Sequence, residues 1–429
     1  MTRRLIGIGA GPSNLSLACL LYPRGISNLF FERKSQFSWH EGMQIPNARL
    51  QVSFIKDLVT LADPTNPFSF LAFLHENGRL YHFLNAQFES VSRREFSEYF
   101  SWAANKNPQI IFGEEVEQVL YDGIFVVKTN KRILKAENIA IGIGKVPYLP
   151  EIALDGQGKS QFHSADYAYR SDTLSKKRVT VIGSGQSGAE IVNDLLSRSE
   201  NTAPSAISWI SRRTGFWPLD DAPFTNDLFM PDHQHYFSTL EEERRRKFLK
   251  SNVLASDGIS LKTLRSIYQK IYSNRFVDRR TNTTVALLPG REVVRVGKDG
   301  AAWVLNLRHK DSAMTETTHA DVIIWATGYK NAPTPFLEDL QHRMEMEGEE
   351  IRVDQNFSAA WDGPPDRSIF VLNASRTQKG LADPNLSLLA WRSARIIERL
   401  TGEPLLHEPA PSMISWMAED VSNLQREAG

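Results

Sequence analysis

The chain has 429 residues, with 50 Lys plus Arg against 50 Asp plus Glu, so its formal net charge is zero. At roughly 150 residues per domain, two or three domains with ample core are expected. The balanced charge gives no electrostatic basis for binding nucleic acid or an anionic membrane.

A single cysteine, Cys19, excludes an internal disulfide and a two-cysteine redox centre. Its apolar neighbours read as core. No apolar run reaches the roughly 20 residues that span a bilayer. Arg3 and Arg4 lead into a strand rather than a secretory leader. A soluble, cytoplasmic protein is the expectation.

The first unit reads as a strand over 4–8, a glycine turn, a helix over 13–21 and a second strand, "NLFFERK". In "LIGIGAGPSNLSLA", Gly9, Gly11 and Asn14 stand at the G-x-G-x-x-G positions, Asn replacing the third glycine, and Pro12 opens the helix. Such a turn lets backbone approach a pyrophosphate, which then sits on the helix N-terminus. Glu32 ends the second strand about 20 residues on, where an acid accepts hydrogen bonds from ribose hydroxyls. The acid suits FAD.

Residues 37–85 are rich in aromatics, Pro and Asn, too irregular for one helix and too apolar for disorder. "RREFSEYFSWAA" then returns to helical spacing, with Phe96, Tyr99, Phe100 and Ala103 at i, i+3, i+4 and i+7. Strands "GIFVVKT" and "NIAIGIG" follow, and the prolines of "GKVPYLP" stop regular structure.

"VTVIGSGQSGAEI" is a second glycine turn, with Gly183, Gly185 and Gly188 between strand and helix, and Gln186 and Ser187 at the helix start. Its second strand ends in Ser211, Arg212 and Arg213 instead of an acid. Arginine there suits a 2′-phosphate, so the second nucleotide is expected to be NADPH. Hydride would pass from NADPH to FAD. With no cysteine pair to take the electrons, reduced flavin would hand them to dioxygen or a separate acceptor.

Residues 217–280 look helical and charged, as in "STLEEERRRKFLKSN", a run that reads as a solvated face. Strands resume at "TTVALLP", "AAWVLNLR" and "DVIIWATGY", the last carrying Thr327 and Gly328 in a small-residue turn. A helix, "LSLLAWRSARIIERLTG", is stopped by Gly402 and Pro404. No HExxH or Cys/His cluster suggests a metal site. Trp39 and His40 in "FSWHEG" read as packing partners of a flavin rather than as catalysts.

Taken together, "GIGAGPSNLSLA", "FSWHEGMQIPNARLQVSFIKDLVTLADPTNPFSFLAFL", "SRREFSEYFSWAA", "GIGKVPYLP", "VIGSGQSGAEI", "SDGIS", "WATGY" and "GLADPNLSLLAWRSARI" resemble the flavin-dependent N-hydroxylating monooxygenases of siderophore biosynthesis. These are the lysine and ornithine N-monooxygenases, and the likeness covers nearly the whole chain. It implies an α/β fold with two Rossmann-like domains and a small helical substrate portion, often as a homotetramer. The implied division is 1–175 with 326–429 for FAD, 176–216 with 281–325 for NADPH, and 217–280 for substrate.

The resemblance also implies residue roles. Gln51 would lie beside the isoalloxazine, Lys56 would reach substrate and NADP⁺, and Arg93 would lie near the nicotinamide nucleotide. Asp383, Pro384 and Leu386 would line the flavin and amine end of the pocket, with Ser256 and Asp257 on the substrate side. Two departures stand out: Lys379 replaces a common histidine, and "ASDGIS" replaces the Asn-Tyr pair of ornithine enzymes. The second points to the lysine branch, beside which stand hydroxylases of putrescine and cadaverine.

The implied reaction is attack of a primary amine on a flavin hydroperoxide made from O₂. An alkylamine with a pKa near ~10.4 is almost wholly protonated at neutral pH. The site must therefore favour the neutral amine, and Lys56 is the candidate cation. L-lysine is the expected substrate, because Lys56 pairs with its carboxylate and repels a diamine's second ammonium. The alternatives are the same chemistry on putrescine or cadaverine, an NADPH oxidase or flavin reductase, and a nucleotide-sensing flavoprotein.

Overall fold

The computed structural model describes residues 2–153, 155–278, 283–405, 407 and 409–417. Strand Thr2–Ile8 lies between Asn28–Glu32 and Ile133–Ile141 and runs parallel to both. Its inner residues, Leu5 and Ile6, have no exposed surface, as a parallel strand covered on both faces requires. Ile110–Phe112 adds to one side, while Phe125–Thr129 and Val116–Tyr121 extend the other as antiparallel strands. Ile369–Val371 returns late in the chain to pair with the end of Ile133–Ile141.

A second sheet has five strands, all parallel, in the order Thr284–Pro289, Ala206–Ser211, Arg178–Ile182, Val322–Trp325, Gln161–His163. A three-stranded antiparallel sheet (Arg291–Asp299, Ala302–His309, Thr315–Ala320) shares a core with it through Trp303, Leu305 and Ile323. The two α/β units expected around the glycine turns are both present. No described helix is long and apolar enough to cross a membrane.

Helix Arg93–Lys106 forms where the spacing predicts it, capped by the Ser92 hydroxyl, which accepts from the Glu95 N–H. Phe96, Tyr99, Phe100 and Ala103 are fully buried. Segment 37–85 packs against this face; it ends in helices Phe70–Glu76 and Leu80–Ala86, and side chains fix the turns before them. The buried Asp57 carboxylate accepts from the N–H groups of Val59, Thr60 and Phe70 and from the Thr60 hydroxyl. Tyr99 donates to the Phe68 carbonyl at 2.7 Å and accepts from the Leu58 N–H.

Part of that segment crosses to the second unit. Met43, Ile45 and Ala48 pack in one core with Phe162, Tyr167, Leu174 and Val192. Gly42 makes the approach possible, since a Cβ there would stand 1.6 Å from the Ala165 carbonyl oxygen.

Two of the expected boundaries differ. Residues 161–163 pair with Val322–Trp325 in the second sheet, not with the first, as the implied division 1–175 has them. Of the stretch 217–280, expected to be helical, 223–278 is largely so, but it is divided in its packing. Pro231–Thr239 and Glu242–Ser251 contact Arg376–Lys379, whereas Leu261–Tyr272 lies along Gln186–Leu195. The reason is the apolar stripe of Leu264, Ile267 and Ile271, which completes the second core. The boundary expected at 280/281 lies outside the described residues.

Candidate functional site

In the first turn Gly9 has φ +82°, and a Cβ there would stand 2.8 Å from the Gly142 carbonyl oxygen. Asn14 closes the turn in place of a third glycine. Its Nδ2 donates to the Ile8 and Gly9 carbonyls at 3.0 and 2.7 Å, and its buried Oδ1 has no partner among the described residues. Glu32 accepts from the Ala10 and Lys34 N–H groups, both at 3.0 Å, which leaves lone pairs for hydroxyls. Gly11 precedes Pro12–Leu21 with no side-chain cap and no acid in the first turn.

The second turn is tighter. A Cβ on Gly183 would meet the Ala326 carbonyl oxygen at 2.1 Å, and one on Gly188 would meet the Gly183 oxygen at 2.3 Å. Gly185 precedes Gln186–Leu195, again without side-chain cap or first-turn acid. Ser187 lies half-buried in that first helical turn. The Thr327 hydroxyl donates to the Tyr148 carbonyl, and the Gly328 carbonyl accepts from the Tyr148 N–H at 2.9 Å. Each turn thus offers uncapped helix N–H groups to an approaching anion, which fits one pyrophosphate apiece.

Arg212 is exposed at the end of Ala206–Ser211, whereas Arg213 donates to the Asp257 carbonyl at 2.9 Å. Of the two arginines expected at a 2′-phosphate, Arg213 is thus engaged by backbone and Arg212 is exposed. Charge-assisted contacts of this kind are worth roughly 1.5–3 kcal/mol. Arg212→Ala is expected to cut kcat/KM for NADPH about tenfold or more and leave that for NADH nearly unchanged. Equal losses with both nucleotides would remove the assignment.

Between the turns, residues from distant parts of the chain converge. The Gln51 amide lies 3.3 Å from Gln186 Oε1 and 3.4 Å from the Gly258 carbonyl. Gln186 Oε1 also accepts from the Ser260 N–H at 2.8 Å, while its amide donates to Glu190 at 3.0 Å. Arg93 grips Glu190 with two bonds, at 2.9 and 3.0 Å, and donates to the Met43 carbonyl. Trp39 packs edge-on to Phe100 and His40 edge-on to Tyr329. His40 has the left-handed φ of 48°.

Lys56 donates to the buried Ser387 hydroxyl at 3.1 Å, and burial lowers its pKa. The loop carrying Ser387 starts at Asp383, whose carboxylate is closed off by Arg392 and the Ser375 N–H, both at 2.9 Å. Asp383 is therefore not offered to a ligand's ammonium. Pro384 and Leu386 are half-buried in that loop. Ser256 and Asp257 both accept from Arg376, at 3.0 and 2.8 Å. Lys145 donates to Asn331 at 2.8 Å. Burial lowers its pKa, and Asp383, Arg376 and Glu350 all act on it electrostatically.

The charges are unevenly matched. Glu190, Asp257 and Asp383 each pair with an arginine. Glu350 is capped by the Thr377 N–H and hydroxyl. Lys56 and Lys145 join no ion pair among the described residues and donate only to neutral groups. Sequence reasoning missed Glu190, Arg376, Arg392, Lys145 and Ser387. Only Glu190 carried a visible signal, an acid set between Ala189 and Ile191 on a helix face that turns out buried.

Residues 2–331 match the family described as L-lysine 6-monooxygenase/L-ornithine 5-monooxygenase. L-lysine N6-monooxygenase of Escherichia coli is 39% identical over 417 residues, 96% of this chain and 97% of that one. The FAD-bound cadaverine monooxygenase of the desferrioxamine pathway of Erwinia amylovora superposes with a TM-score of 0.92 at 29% identity, covering 98% of this chain and 99% of that one. An ornithine N-hydroxylase of Kutzneria sp., solved with reduced FAD, NADP⁺ and L-ornithine, gives 0.84 at 28%, covering 93% and 99%. With two glycine turns of the dinucleotide-binding kind and a match across most of its length, the chain belongs to the lysine/ornithine N-monooxygenase family.

Proposed function

We propose that this chain is an FAD- and NADPH-dependent monooxygenase that hydroxylates the terminal amine of L-lysine, giving an N-hydroxy amine of the kind built into hydroxamate siderophores. The balance is R–NH₂ + O₂ + NADPH + H⁺ → R–NHOH + H₂O + NADP⁺. FAD, held on the first turn through Gly9, Gly11, Asn14 and Glu32, supplies the oxygen chemistry when bound. NADPH is held on the second, with Arg212 at its 2′-phosphate.

The observation that carries the substrate is the charge inventory of the junction. Among the described residues Lys56 and Lys145 join no ion pair, while Glu190, Asp257 and Asp383 each pair with an arginine. The remaining field is positive. It attracts a carboxylate and repels the second ammonium of a diamine. The same field favours loss of the proton from the reacting amine, which must expose its lone pair. Lys56 is the nearest cation in this reading, held in place by Ser387.

Hydroxylamine product with L-lysine, L-ornithine, putrescine and cadaverine, measured side by side on the FAD-loaded enzyme, tests both halves. L-lysine is expected to give the highest kcat/KM, with product matching NADPH consumed. Hydrogen peroxide as the only product with every amine would overturn the monooxygenase reading. A faster diamine would overturn the substrate alone. Lys56→Ala is expected to raise the KM for L-lysine about tenfold or more, with the bound FAD ratio, read from the absorbance spectrum, at the wild-type value. An unchanged KM would take Lys56 out of the substrate site.

A further inference from the structure

Lys379 is 4% exposed and lines a cavity of about 430 Å³. Gln234 and Ser238 of helix Pro231–Thr239, Trp391 and Arg395 of helix Leu389–Thr401, and Trp416 of segment 409–417 line it too. Gln51, Lys56, Gln186, Glu190 and Ser387 do not, so the cavity is separate from the junction of the two units.

The Lys379 cation is left over from the charges around it. Asp354, Asp383 and Glu347 act on it electrostatically, but each is engaged elsewhere. Asp383 pairs with Arg392, Glu347 with Arg245, and Asp354 accepts from the N–H groups of Asn356 and Ser358. Among the described residues Lys379 joins no ion pair, and its ammonium donates only to the Ser238 hydroxyl, at 3.4 Å. Most of its hydrogen-bonding capacity is unused. A cation buried in this way is unfavourable without a counter-charge, and burial lowers its pKa. Two more polar atoms of the lining lack partners among the described residues: Oε1 of Gln234, itself 4% exposed, and Nε1 of Trp416.

Together these groups describe a ligand. Lys379 calls for an anion, Trp416 for an acceptor and Gln234 for a donor. The two tryptophans call for an apolar body. An inorganic anion would supply the charge alone and leave Gln234 and most of the volume unmet. We propose that this cavity is a second ligand site, distinct from the amine site, for an organic acid that carries a hydroxyl beside its carboxylate. Lys379 adjoins Gly380, from which the chain leads through Asp383 to Ser387. Trp391 and Arg395 share a helix with Arg392, which holds Asp383. An occupant thus braces the Ser387 loop at both ends, and acid and amine bind together rather than in competition.

Mandelate is a suitable probe, because it joins a carboxylate and a hydroxyl to one aromatic ring. Titrated calorimetrically into the FAD-loaded enzyme, it is expected to bind with or without saturating L-lysine or cadaverine. Mandelamide, which lacks the charge, is expected to bind about tenfold more weakly or worse, and phenylacetate, which lacks the hydroxyl, a few-fold more weakly. Lys379→Met is expected to weaken mandelate by about tenfold or more, whereas Lys56→Met leaves its affinity unchanged.

The absence of binding at millimolar mandelate overturns the proposal, as does equal affinity for mandelate and mandelamide. Displacement by either amine, or loss of binding in Lys56→Met with none in Lys379→Met, places the acid at the amine site and overturns it too. Bound FAD and the thermal midpoint report whether the variants fold. If Lys379→Met does not, the comparison of mandelate with mandelamide still decides, since it needs no variant. None of these outcomes depends on which amine the enzyme hydroxylates.

Discussion

Asp383→Ala is expected to cost about 3–5 kcal/mol of folding stability, although Asp383 stands in a motif that invites a ligand-binding reading. Its partner, Arg392, is 3% exposed at the side chain and Asp383 0%. Nη1 of Arg392 divides its bonds between the Asp383 carboxylate and carbonyl. Removing the acid strands a guanidinium away from water and takes the acceptor from the Ser375 N–H. The loop that carries Ser387 to Lys56 loses its anchor at the same time. In denaturant unfolding the midpoint should fall with little change in slope. Asp383→Leu combined with Arg392→Leu should recover part of the loss, because the uncompensated charge is then gone. A single variant within about 1 kcal/mol of wild type, near the typical effect of a point mutation, would show that the pair does not anchor the loop.

Glu190→Leu is expected to slow hydride transfer on the order of 10²-fold, since a displacement of about 1 Å at a reacting centre suffices for that. Glu190 holds Arg93 of the first unit and Gln186 of the second turn at once. Without it, Arg93 keeps, among the described residues, the Met43 carbonyl as its acceptor, and Gln186 loses one of the bonds that orient it toward Gln51. The nucleotide turn itself remains intact. Anaerobic mixing with NADPH should therefore show a slower flavin reduction rate at saturation, with a smaller change in the NADPH concentration needed to reach it. Under oxygen, more of the NADPH consumed should appear as peroxide. A normal reduction rate with weakened NADPH binding would mean that Glu190 serves the nucleotide rather than the alignment of the two units.

Much of this was legible in the sequence, and for a physical reason. Glycine turns and amphipathic helices are local: their constraints fall within a dozen residues, so Gly183, Gly185 and Gly188, or Phe96 to Ala103, can be read in place. The strand 161–163 was not legible, because three residues are too few for any periodicity to show. The ion pairs were not legible either. Arg93 and Glu190 are 97 positions apart, and Arg376 and Asp257 are 119 apart. Nothing local in Asp257 or Asp383 distinguishes an acid that meets a ligand from one that meets an arginine. The resemblance placed these residues near substrate, but only the folded chain showed which charges were already matched.

The strand-poor loop that carries Met43, Ile45 and Ala48 into the other unit makes that unit a receptor for a piece of its neighbour. Expressed alone, a fragment starting near residue 159 would present an apolar slot between Phe162, Tyr167 and Val192, and a synthetic peptide spanning 42–48 would be its natural plug. During synthesis the order is reversed. The plug emerges long before the slot exists, so a nascent chain holds those apolar side chains in water until more than a hundred further residues have appeared. Chains truncated before that point never bury them, and they are the ones most exposed to aggregation or to capture by chaperones.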